Sequence, residues 1–296
     1  MTHFPAGRPS SRDGLPEGSE EIMKTDEKIP KELTRAQFLK LGGAGLAAIA
    51  AGGLAQRALA KENPGQKATR RQWAMVIDLT RCIGCEACTV ACQQENNTPP
   101  APHADVGRMR AWNQVIFKEE GETPFAKIKY HPRPCFHCEH PSCVKVCPVG
   151  ATYRDEKRGI VLVDYARCIG CRYCAANCPY GARYFNWSKP EWSKNRGNAS
   201  NPGVPMRPKG VIEKCTFCIQ RIRAAEERAA REGREIRDGE VVPACNQTCM
   251  GRARFFGDLN DPNSQVSKLI RSGRAYRLAE HYGNEPNVYY LAEVRP

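Results

Sequence analysis

Four groups of cysteine residues constrain this chain more than any other feature of its sequence. Every one of the 16 cysteines among its 296 residues belongs to a group of four. The groups are Cys82, Cys85, Cys88 and Cys92; Cys135, Cys138, Cys143 and Cys147; Cys168, Cys171, Cys174 and Cys178; and Cys215, Cys218, Cys245 and Cys249. So many thiols indicate either bound metal or a disulfide framework, and their spacing has to distinguish the two.

The first and third groups have the spacing C-x2-C-x2-C-x3-C with which bacterial ferredoxins bind [4Fe–4S] clusters. Pro148 and Pro179 follow the last cysteine of the second and third groups, as is usual in such runs. Three thiolates on one tight loop can bind three corners of a cube, so the fourth ligand must come from elsewhere. We expect Gly84 and Gly170 to allow the close backbone approach that these loops require.

The two ferredoxin-type groups are part of an internal repeat. Residues 77–85 and 163–171 share the pattern Asp-x-x-Arg-Cys-Ile-Gly-Cys. Before each copy a β-like run, residues 74–78 or 160–164, predicts a short strand that leads into the cysteine loop. A brief helix is then expected to deliver the fourth cysteine.

Disulfides and zinc are the alternatives to iron–sulfur clusters. Cysteines two residues apart are poor partners for one disulfide, which argues against a disulfide framework. The fourth group alone would suit a zinc ribbon equally well, but beside three ferredoxin-type groups it favours a fourth cube. His137 and His140 lie among the second group and are interpreted as hydrogen-bonding or surface residues, since four thiolates already complete that set. Aromatic residues near the groups are expected to pack around the cubes; they are Trp73, Trp112, Tyr173, Tyr180 and Phe185.

The formal net charge of +13 does not indicate nucleic-acid binding. An oxidised cube with four thiolates carries a net charge of about −2, so four cubes would leave the loaded protein with a net charge of about +5. We therefore expect basic side chains to lie beside the clusters and to raise their potentials.

The amino terminus predicts an export signal. The segment Thr34–Lys40 resembles a twin-arginine signal, except that Ala36 stands where the second arginine would be. An apolar stretch, Leu41–Ala55, and a small-residue site at Ala58–Ala60 follow. These features predict a periplasmic protein or one at the outer face of the cytoplasmic membrane, held there by a partner; a membrane anchor is the alternative.

The rest of the chain predicts a surface loop, a helix and a carboxy-terminal tail. Residues 188–210 are rich in Pro, Gly, Asn and Lys and predict a loop that contacts a partner. The stretch Phe217–Glu232 predicts a helix that Gly233 ends. In the tail we expect an amphipathic helix at Val266–Arg271 and a strand at Val288–Leu291, docked against the core or a partner.

The four groups, the repeat, the string Glu213–Cys218 and the later Phe256–Leu259 together resemble one family. It is the four-cluster ferredoxin subunit of dimethyl sulfoxide reductase family complexes, which include polysulfide, tetrathionate and formate-linked nitrite reductases. The resemblance covers roughly Ala74 to Asp261. It implies an α+β fold of tandem bacterial dicluster ferredoxin-like domains, one inserted in the other, with long loops and little regular secondary structure.

In that family the clusters are shared crosswise between groups, and the resemblance implies four [4Fe–4S] clusters here. Their ligands would be Cys82, Cys85, Cys88 and Cys249 (cluster 1); Cys92, Cys215, Cys218 and Cys245 (cluster 2); Cys135, Cys138, Cys143 and Cys178 (cluster 3); and Cys147, Cys168, Cys171 and Cys174 (cluster 4). The domains would be a leader and signal segment, 1–60; an outer dicluster domain, 70–126 plus 205–262; an inner dicluster domain, 127–187; a partner-contact loop, 188–210; and a docking tail, 263–296.

The resemblance also implies partners, namely a polytopic quinone-reactive membrane subunit and a molybdopterin catalytic subunit, with the cubes conducting electrons between them. The loop before Cys215 is similar to the iron–sulfur subunits of sulfite-reduction-linked complexes and of the alternative complex III, whose partners differ. A free polyferredoxin is a further alternative. No glycine-rich nucleotide loop or Ser/His/Asp constellation is present, so we assign no catalytic residues and predict a non-catalytic electron-transfer subunit.

Overall fold

A computed structural model describes residues 70–100, 111–192 and 201–292 of the chain. The predicted leader and signal segment, residues 1–60, lies outside the described residues. The largest described sheet has four strands in the order β8-β1-β10-β9. These strands are β1 (Trp73–Asp78), β8 (Arg254–Asp258), β9 (Ala275–Tyr276) and β10 (Val288–Leu291).

Strand β1 lies at the centre of this sheet and is buried on both faces. It pairs antiparallel with β8 and parallel with β10. On one face Met75 and Ile77 pack in the same core as the cysteine-bearing loops, and on the other Val76 packs with Val266 and Leu291. A continuous apolar strand is what a sheet covered on both faces requires. The sheet thus brings the first cysteine group, which follows β1, beside the fourth, which precedes β8.

The predicted strand, loop and helix of each repeat copy are present. In the first copy β1 leads into the cysteine loop and then into helix α1 (Ala87–Glu95). In the second, β5 (Ile160–Val163) leads through the loop into helix α3 (Tyr173–Ala176). Strand β5 pairs antiparallel with β4 (Thr152–Asp155).

The remaining elements lie between or after the two repeat copies. Strands β2 (Gln114–Glu120) and β3 (Lys127–Arg133) form an antiparallel hairpin. The boundary predicted between residues 126 and 127 would fall at the turn of this hairpin. The other elements are helix α2 (Ser142–Lys145), strand β6 (Tyr184–Phe185), strand β7 (Ile212–Glu213) and helix α5 (Ala244–Gln247).

Helix α4 (Ile219–Arg231) begins two residues later than the sequence predicted. Phe217 and Cys218, placed in the helix from their composition, both have left-handed φ angles of 53°. The loop geometry around Cys218 therefore overrides the local helix propensity. At the other end the prediction is confirmed, because Gly233 has a φ of 65° and its N–H bonds to the carbonyl of Ala230.

The carboxy-terminal tail docks against the core. This is one of the two alternatives that the sequence predicted, the other being docking against a partner. Helix α6 (Gln265–Ile270) is capped by Ser264, whose side chain accepts a hydrogen bond from the Ser267 N–H. Strand β10 coincides with the predicted strand. None of the helices in residues 70–100, 111–192 and 201–292 combines the length and hydrophobicity that crossing a bilayer requires.

The loop predicted over residues 188–210 is only partly a surface loop. Residues 193–200 lie outside the described residues. Beyond them, Asn201 and Asn97 exchange two hydrogen bonds, each of 2.8 Å. Arg207 is buried, and its charge is compensated by the buried carboxylate of Glu213, which lies 3.1 Å away. The second part of the loop therefore packs on the body of the chain.

Candidate metal centres

All sixteen cysteines lie in the described residues, and all of them are free thiols. Only Cys85 and Cys171 are exposed, whereas the others are buried or half-buried. In the described part of the chain no three His, Cys, Asp or Glu side chains converge on a point where one metal ion could bind. The four thiolates of a cube bind four different irons, so they lie farther apart than the ligands of a single ion.

One cavity brings the fourth group's last cysteine to the first group. It is lined by the four thiols Cys82, Cys85, Cys88 and Cys249. The backbone N–H of Ala253 donates to Cys249 Sγ at 3.2 Å. Four thiols from two distant segments around one space, with an amide directed at a sulfur, fit a cube.

The rest of the fourth group surrounds Cys92, which lies within α1. Burial, and then the charges of Cys215, Cys218 and Cys245, raise the pKa of the Cys92 thiol well above its ordinary value. All four thiols are buried. The fourth group is therefore divided between two sites, which does not fit the zinc ribbon that its spacing alone allowed.

The side-chain amide of Asn96 serves this second set and was not identified from the sequence. Its Nδ2 lies 3.6 Å from Cys92 Sγ and 3.7 Å from Cys218 Sγ. Asn96 is one helical turn beyond Cys92, which is the spacing that brings two side chains to one helix face. The Phe217 N–H adds a further donor, 3.4 Å from Cys215 Sγ.

A second cavity joins the second group to the last cysteine of the third. It is lined by the thiols Cys135, Cys138, Cys143 and Cys178. Burial, followed by the charges of Cys135, Cys143 and Cys178, raises the pKa of Cys138. This cavity lies between helix α2 and the loop that follows α3.

The four remaining cysteines lie around the contact of α2 with α3. Cys147 follows α2, Cys168 and Cys171 lie in the loop before α3, and Cys174 lies within α3. The two helices pack against each other, and Ser142 Oγ donates to the carbonyl of Asn177 at 2.9 Å. Burial would raise the pKa of Cys147, but the backbone amides of Thr152, Val149 and Ala151 lower it below its ordinary value. Donors are thus in place for an anionic sulfur.

The two predicted glycine positions are confirmed as close-approach sites. Gly84 and Gly170 have φ angles of 72° and 68°. A Cβ at Gly84 would lie 2.3 Å from the Tyr130 ring, and one at Gly170 would lie 2.1 Å from the carbonyl oxygen of Gly210. Any side chain at either position would push apart the loop and the element packed on it.

Three buried basic side chains lie beside the thiols, as the positive net charge predicted without identifying them. Arg254 donates to Cys88 Sγ at 3.5 Å, and Arg183 donates to Cys143 Sγ at 2.9 Å. Lys214 is fully buried and donates to the carbonyl oxygens of Val161 and Cys215. Burial lowers the pKa of Lys214, and the charge of Cys135 opposes that shift. The sequence signal that could have identified the three basic residues is that each lies close in sequence to a cysteine group.

The histidines have the roles predicted for them. His137 is fully buried, its ring stacks on Phe217 at 3.8 Å, and its Nδ1 accepts the Val161 N–H at 3.1 Å. Burial, with the charges of Lys214 and Arg183, lowers the pKa of His137 well below its ordinary value. His140 is exposed and lies 3.7 Å from the carboxylate of Glu285.

The aromatic prediction is confirmed for most residues and is wrong for one. Trp73 stacks on Phe256, Tyr180 stacks on Phe136, and the Trp112 ring is buried. Phe185 is half-buried. Tyr173, however, is 63% exposed. It begins α3 at the rim of the cysteine loop, where no other described element covers it.

Comparison with known proteins gives two matches to models of a 4Fe–4S dicluster domain, at residues 81–151 and 126–201. The chain is 48% identical over 227 residues to the iron–sulfur cluster-binding subunit of menaquinone reductase from Nitratidesulfovibrio vulgaris, covering 75% of this chain and 89% of that protein. It is 44% identical over 233 residues to a selenate reductase subunit from Mesobacillus selenatarsenatis, covering 74% and 72%. It is 38% identical over 278 residues to an iron–sulfur subunit of the Hdr-like menaquinol oxidoreductase from Archaeoglobus fulgidus, covering 87% and 97%.

Proposed function

The chain belongs to the family of iron–sulfur electron-transfer subunits of respiratory reductase-type complexes, and we propose that it carries four [4Fe–4S] clusters in two nested dicluster units. Each bound cluster would accept and release one electron at a time. The observation that carries the proposal is the division of the fourth cysteine group between two sites. Cys249 lines the cavity of the first group, whereas Cys215, Cys218 and Cys245 surround Cys92.

The proposed ligand sets are the crossed ones that the family resemblance implies. The two cavities support the sets of clusters 1 and 3, and the mutual charge effects around Cys92 support that of cluster 2. The set of cluster 4 rests on the packing of α2 against α3 and on the sequence motif. In every set, three thiols come from one group and the fourth from another.

The nested arrangement follows from these sets. Clusters 1 and 2 would belong to an outer unit, residues 70–126 plus 205–262, and clusters 3 and 4 to an inner unit, residues 127–187. The pairing of β1 with β8 and the packing of α1 on α5 support an outer unit built from both ends of the chain.

The cysteines also support an order of clusters along the path of electrons. Cys245 lies within electrostatic reach of Cys88, which makes clusters 1 and 2 neighbours. Cys215 lies within reach of Cys135, which makes clusters 2 and 3 neighbours. The exposed thiols, Cys85 and Cys171, belong to clusters 1 and 4. We therefore place clusters 1 and 4 at the two ends, where electrons enter and leave.

The partners we propose are a polytopic quinone-reactive membrane subunit and a molybdopterin catalytic subunit. The similarity to a subunit of selenate reductase supports a catalytic partner. We place the complex in the periplasm or at the outer face of the cytoplasmic membrane, on the strength of the twin-arginine-like segment Thr34–Lys40.

A quinone-linked complex without molybdenum is the second candidate. The relatives named as a menaquinone reductase subunit, at 48% identity, and as an Hdr-like menaquinol oxidoreductase subunit favour it. In both candidates this chain conducts electrons and catalyses no substrate reaction itself. A free polyferredoxin would need neither the signal-like segment nor the long loop at residues 188–210.

The test is purification of a carboxy-terminally tagged copy from native membranes in mild detergent, with iron, sulfide, molybdenum and tungsten quantified. We expect iron and sulfide for four cubes and an integral membrane partner. Stoichiometric molybdenum or tungsten would support the molybdopterin partner, and iron without either metal would support the second candidate. A chain recovered alone, or with iron for only two cubes, would contradict the proposal.

A further inference from the structure

Three of the buried basic side chains lack the counterion that a buried charge ordinarily needs. Arg254 is 6% exposed, Arg183 is 7% exposed and Lys214 is fully buried. Within the described residues, none of the three lies within ion-pair distance of an Asp or Glu side chain. Arg207, equally buried, shows the ordinary arrangement, since it pairs with Glu213. A buried charge is costly unless it is paired, so a different negative charge must lie near these three.

In residues 70–100, 111–192 and 201–292, the hydrogen-bond partners of these cations are neutral groups or thiols. Arg254 donates to Asn113 Oδ1 at 2.7 Å and to Cys88 Sγ at 3.5 Å. Arg183 donates to Thr152 Oγ1 at 3.2 Å and to Cys143 Sγ at 2.9 Å. The negative charge that these arginines face is therefore that of the cysteine sites.

Each cation faces cysteines of two different clusters. Burial alone would lower the pKa of Arg254, but the charges of Cys245, of cluster 2, and Cys88, of cluster 1, hold it above its ordinary value. Arg183 is likewise held above its ordinary pKa, against its burial, by Cys143 of cluster 3 and Cys174 of cluster 4. Lys214 Nζ donates to the carbonyl oxygen of Cys215, of cluster 2, at 2.7 Å, and Lys214 also has an electrostatic interaction with Cys135, of cluster 3.

We propose that Arg254, Lys214 and Arg183 are junction cations, one between each pair of successive clusters, and that each sets the reduction potentials of both neighbours. Arg254 serves clusters 1 and 2, Lys214 serves clusters 2 and 3, and Arg183 serves clusters 3 and 4. The inference rests on the four-cluster arrangement proposed above. It adds which residues tune the path and which clusters each one affects.

The physical reason is the change in charge on reduction. A cube with four thiolates goes from about −2 to about −3 when it accepts one electron, and no bond forms or breaks. A nearby fixed positive charge stabilises the reduced form more than the oxidised form, and so raises the potential. A cation that lies near two anionic cubes adds a favourable potential at both of them. Its removal should therefore lower the potentials of two clusters together.

The test is a potentiometric titration of the purified complex, followed by EPR, with clusters assigned from single Cys→Ser variants. In Arg254→Met we expect clusters 1 and 2 to shift to lower midpoint potential, while clusters 3 and 4 shift much less. In Arg183→Met the pattern should be reversed. Arg254→Lys, which keeps the charge, should recover most of the shift. Arg223→Met makes the same change in net charge at a solvent-exposed position and is the control.

Iron and sulfide measured on each sample distinguish a failure of the junction role from a failure of the proposed function. Wild-type protein with fewer than four cubes would contradict the proposed function itself. A full set of cubes with unchanged midpoints in Arg254→Met, or an equal shift of all four, would overturn the junction role alone. So would an Arg254→Lys shift as large as that of Arg254→Met. If Arg254→Met does not assemble, Arg183→Met and Lys214→Met test the other two junctions. If none of the three Met variants assembles its clusters, the charges serve assembly, and this result also overturns their role in tuning.

Discussion

The first and third cysteine groups have the same spacing but differ in the length of the helix that carries their third cysteine. In both, a glycine with positive φ and a left-handed residue, Glu86 or Arg172, precede the helix. In the first group α1 runs for nine residues and includes Cys92, whereas in the third α3 has four residues and ends before Cys178. Pro179 explains the difference, because proline has no N–H to continue a helix and disfavours helical backbone before it.

The longer helix gives the first group's fourth cysteine a different environment. Because α1 continues for one more turn, Asn96 reaches both Cys92 and Cys218. Cys92 is buried and Cys178 is half-buried. The comparison shows that a shared ligand spacing determines the loop around a cube, and that the residues after it determine what surrounds the sulfur.

The largest effect we expect comes from the glycines that the two loops share. Gly170→Ala would place a Cβ 2.1 Å from a backbone oxygen, whereas Gly84→Ala would meet the Tyr130 ring, which can rotate. Because alanine is also strained in the left-handed region, we expect Gly170→Ala to lower the free energy of unfolding by roughly 3–5 kcal/mol. Gly84→Ala should lower it by about half as much. Thermal unfolding and iron content measure both. Equal losses in the two variants would contradict this contrast between side-chain and backbone contacts.

Gln93→Pro converts the first group to the Cys-Pro pattern of the second and third. It removes a backbone N–H from within α1 and should cost about 3 kcal/mol. It should also displace Asn96 and disturb cluster 2 in the EPR spectrum, leaving clusters 3 and 4 unchanged. The exposed neighbouring change Gln94→Ala is the matched control. If Gln93→Pro unfolds like Gln94→Ala, helix length does not matter to this site.

The repeated aspartates before the two loops should differ less in their contributions to stability than the glycines do. Asp78 accepts from the Thr80 N–H and hydroxyl and lies 3.4 Å from Arg274, and it is buried. Asp164 accepts from the Ala166 N–H at 3.0 Å and is half-buried. We expect Asp78→Ala to cost about 1–2 kcal/mol in the free energy of unfolding and Asp164→Ala about 0.5 kcal/mol. Denaturant unfolding measures the two values, and the reverse order would refute this interpretation.

Asn96→Ala should change a reduction potential rather than the stability of the fold. Loss of its two N–H contacts to sulfur should destabilise the reduced form of cluster 2, relative to the oxidised form, by about 1 kcal/mol. For one electron this lowers the reduction potential by roughly 40 mV. Ala182 stands four residues after Cys178, at the position equivalent to Asn96, so cluster 3 has no such amide from this segment and should not shift. EPR-monitored titration distinguishes the two clusters. A shift of cluster 3 of the same size would indicate a general rather than a local effect.

Much of the fold was predictable because its information is local. The repeat predicted β1, β5 and the short helices, and the apolar run at Val288–Leu291 predicted β10. The partner of β10 was not predictable, since its parallel pairing with β1 joins residues more than two hundred positions apart and leaves no local pattern. The same holds for the approach of Cys249 to the first group, which only the family resemblance implied.

Other features were missed because the needs of a ligand loop override local propensity. Phe217 and Cys218 suit a helix by composition but adopt left-handed backbone beside the thiols. Tyr173 suits a core but lies at an exposed rim. The junction cations were expected as a class, yet their positions depend on how distant segments pack.

The most direct measurement of the crossed arrangement is an EPR comparison of Cys92→Ser with Cys178→Ser. We predict that Cys92→Ser perturbs the cluster of Cys215, Cys218 and Cys245, and that Cys178→Ser perturbs that of Cys135, Cys138 and Cys143. In each variant the cluster held by the neighbours in its own group should remain intact. Loss of the cluster of Cys82, Cys85 and Cys88 in Cys92→Ser would contradict the crossed arrangement.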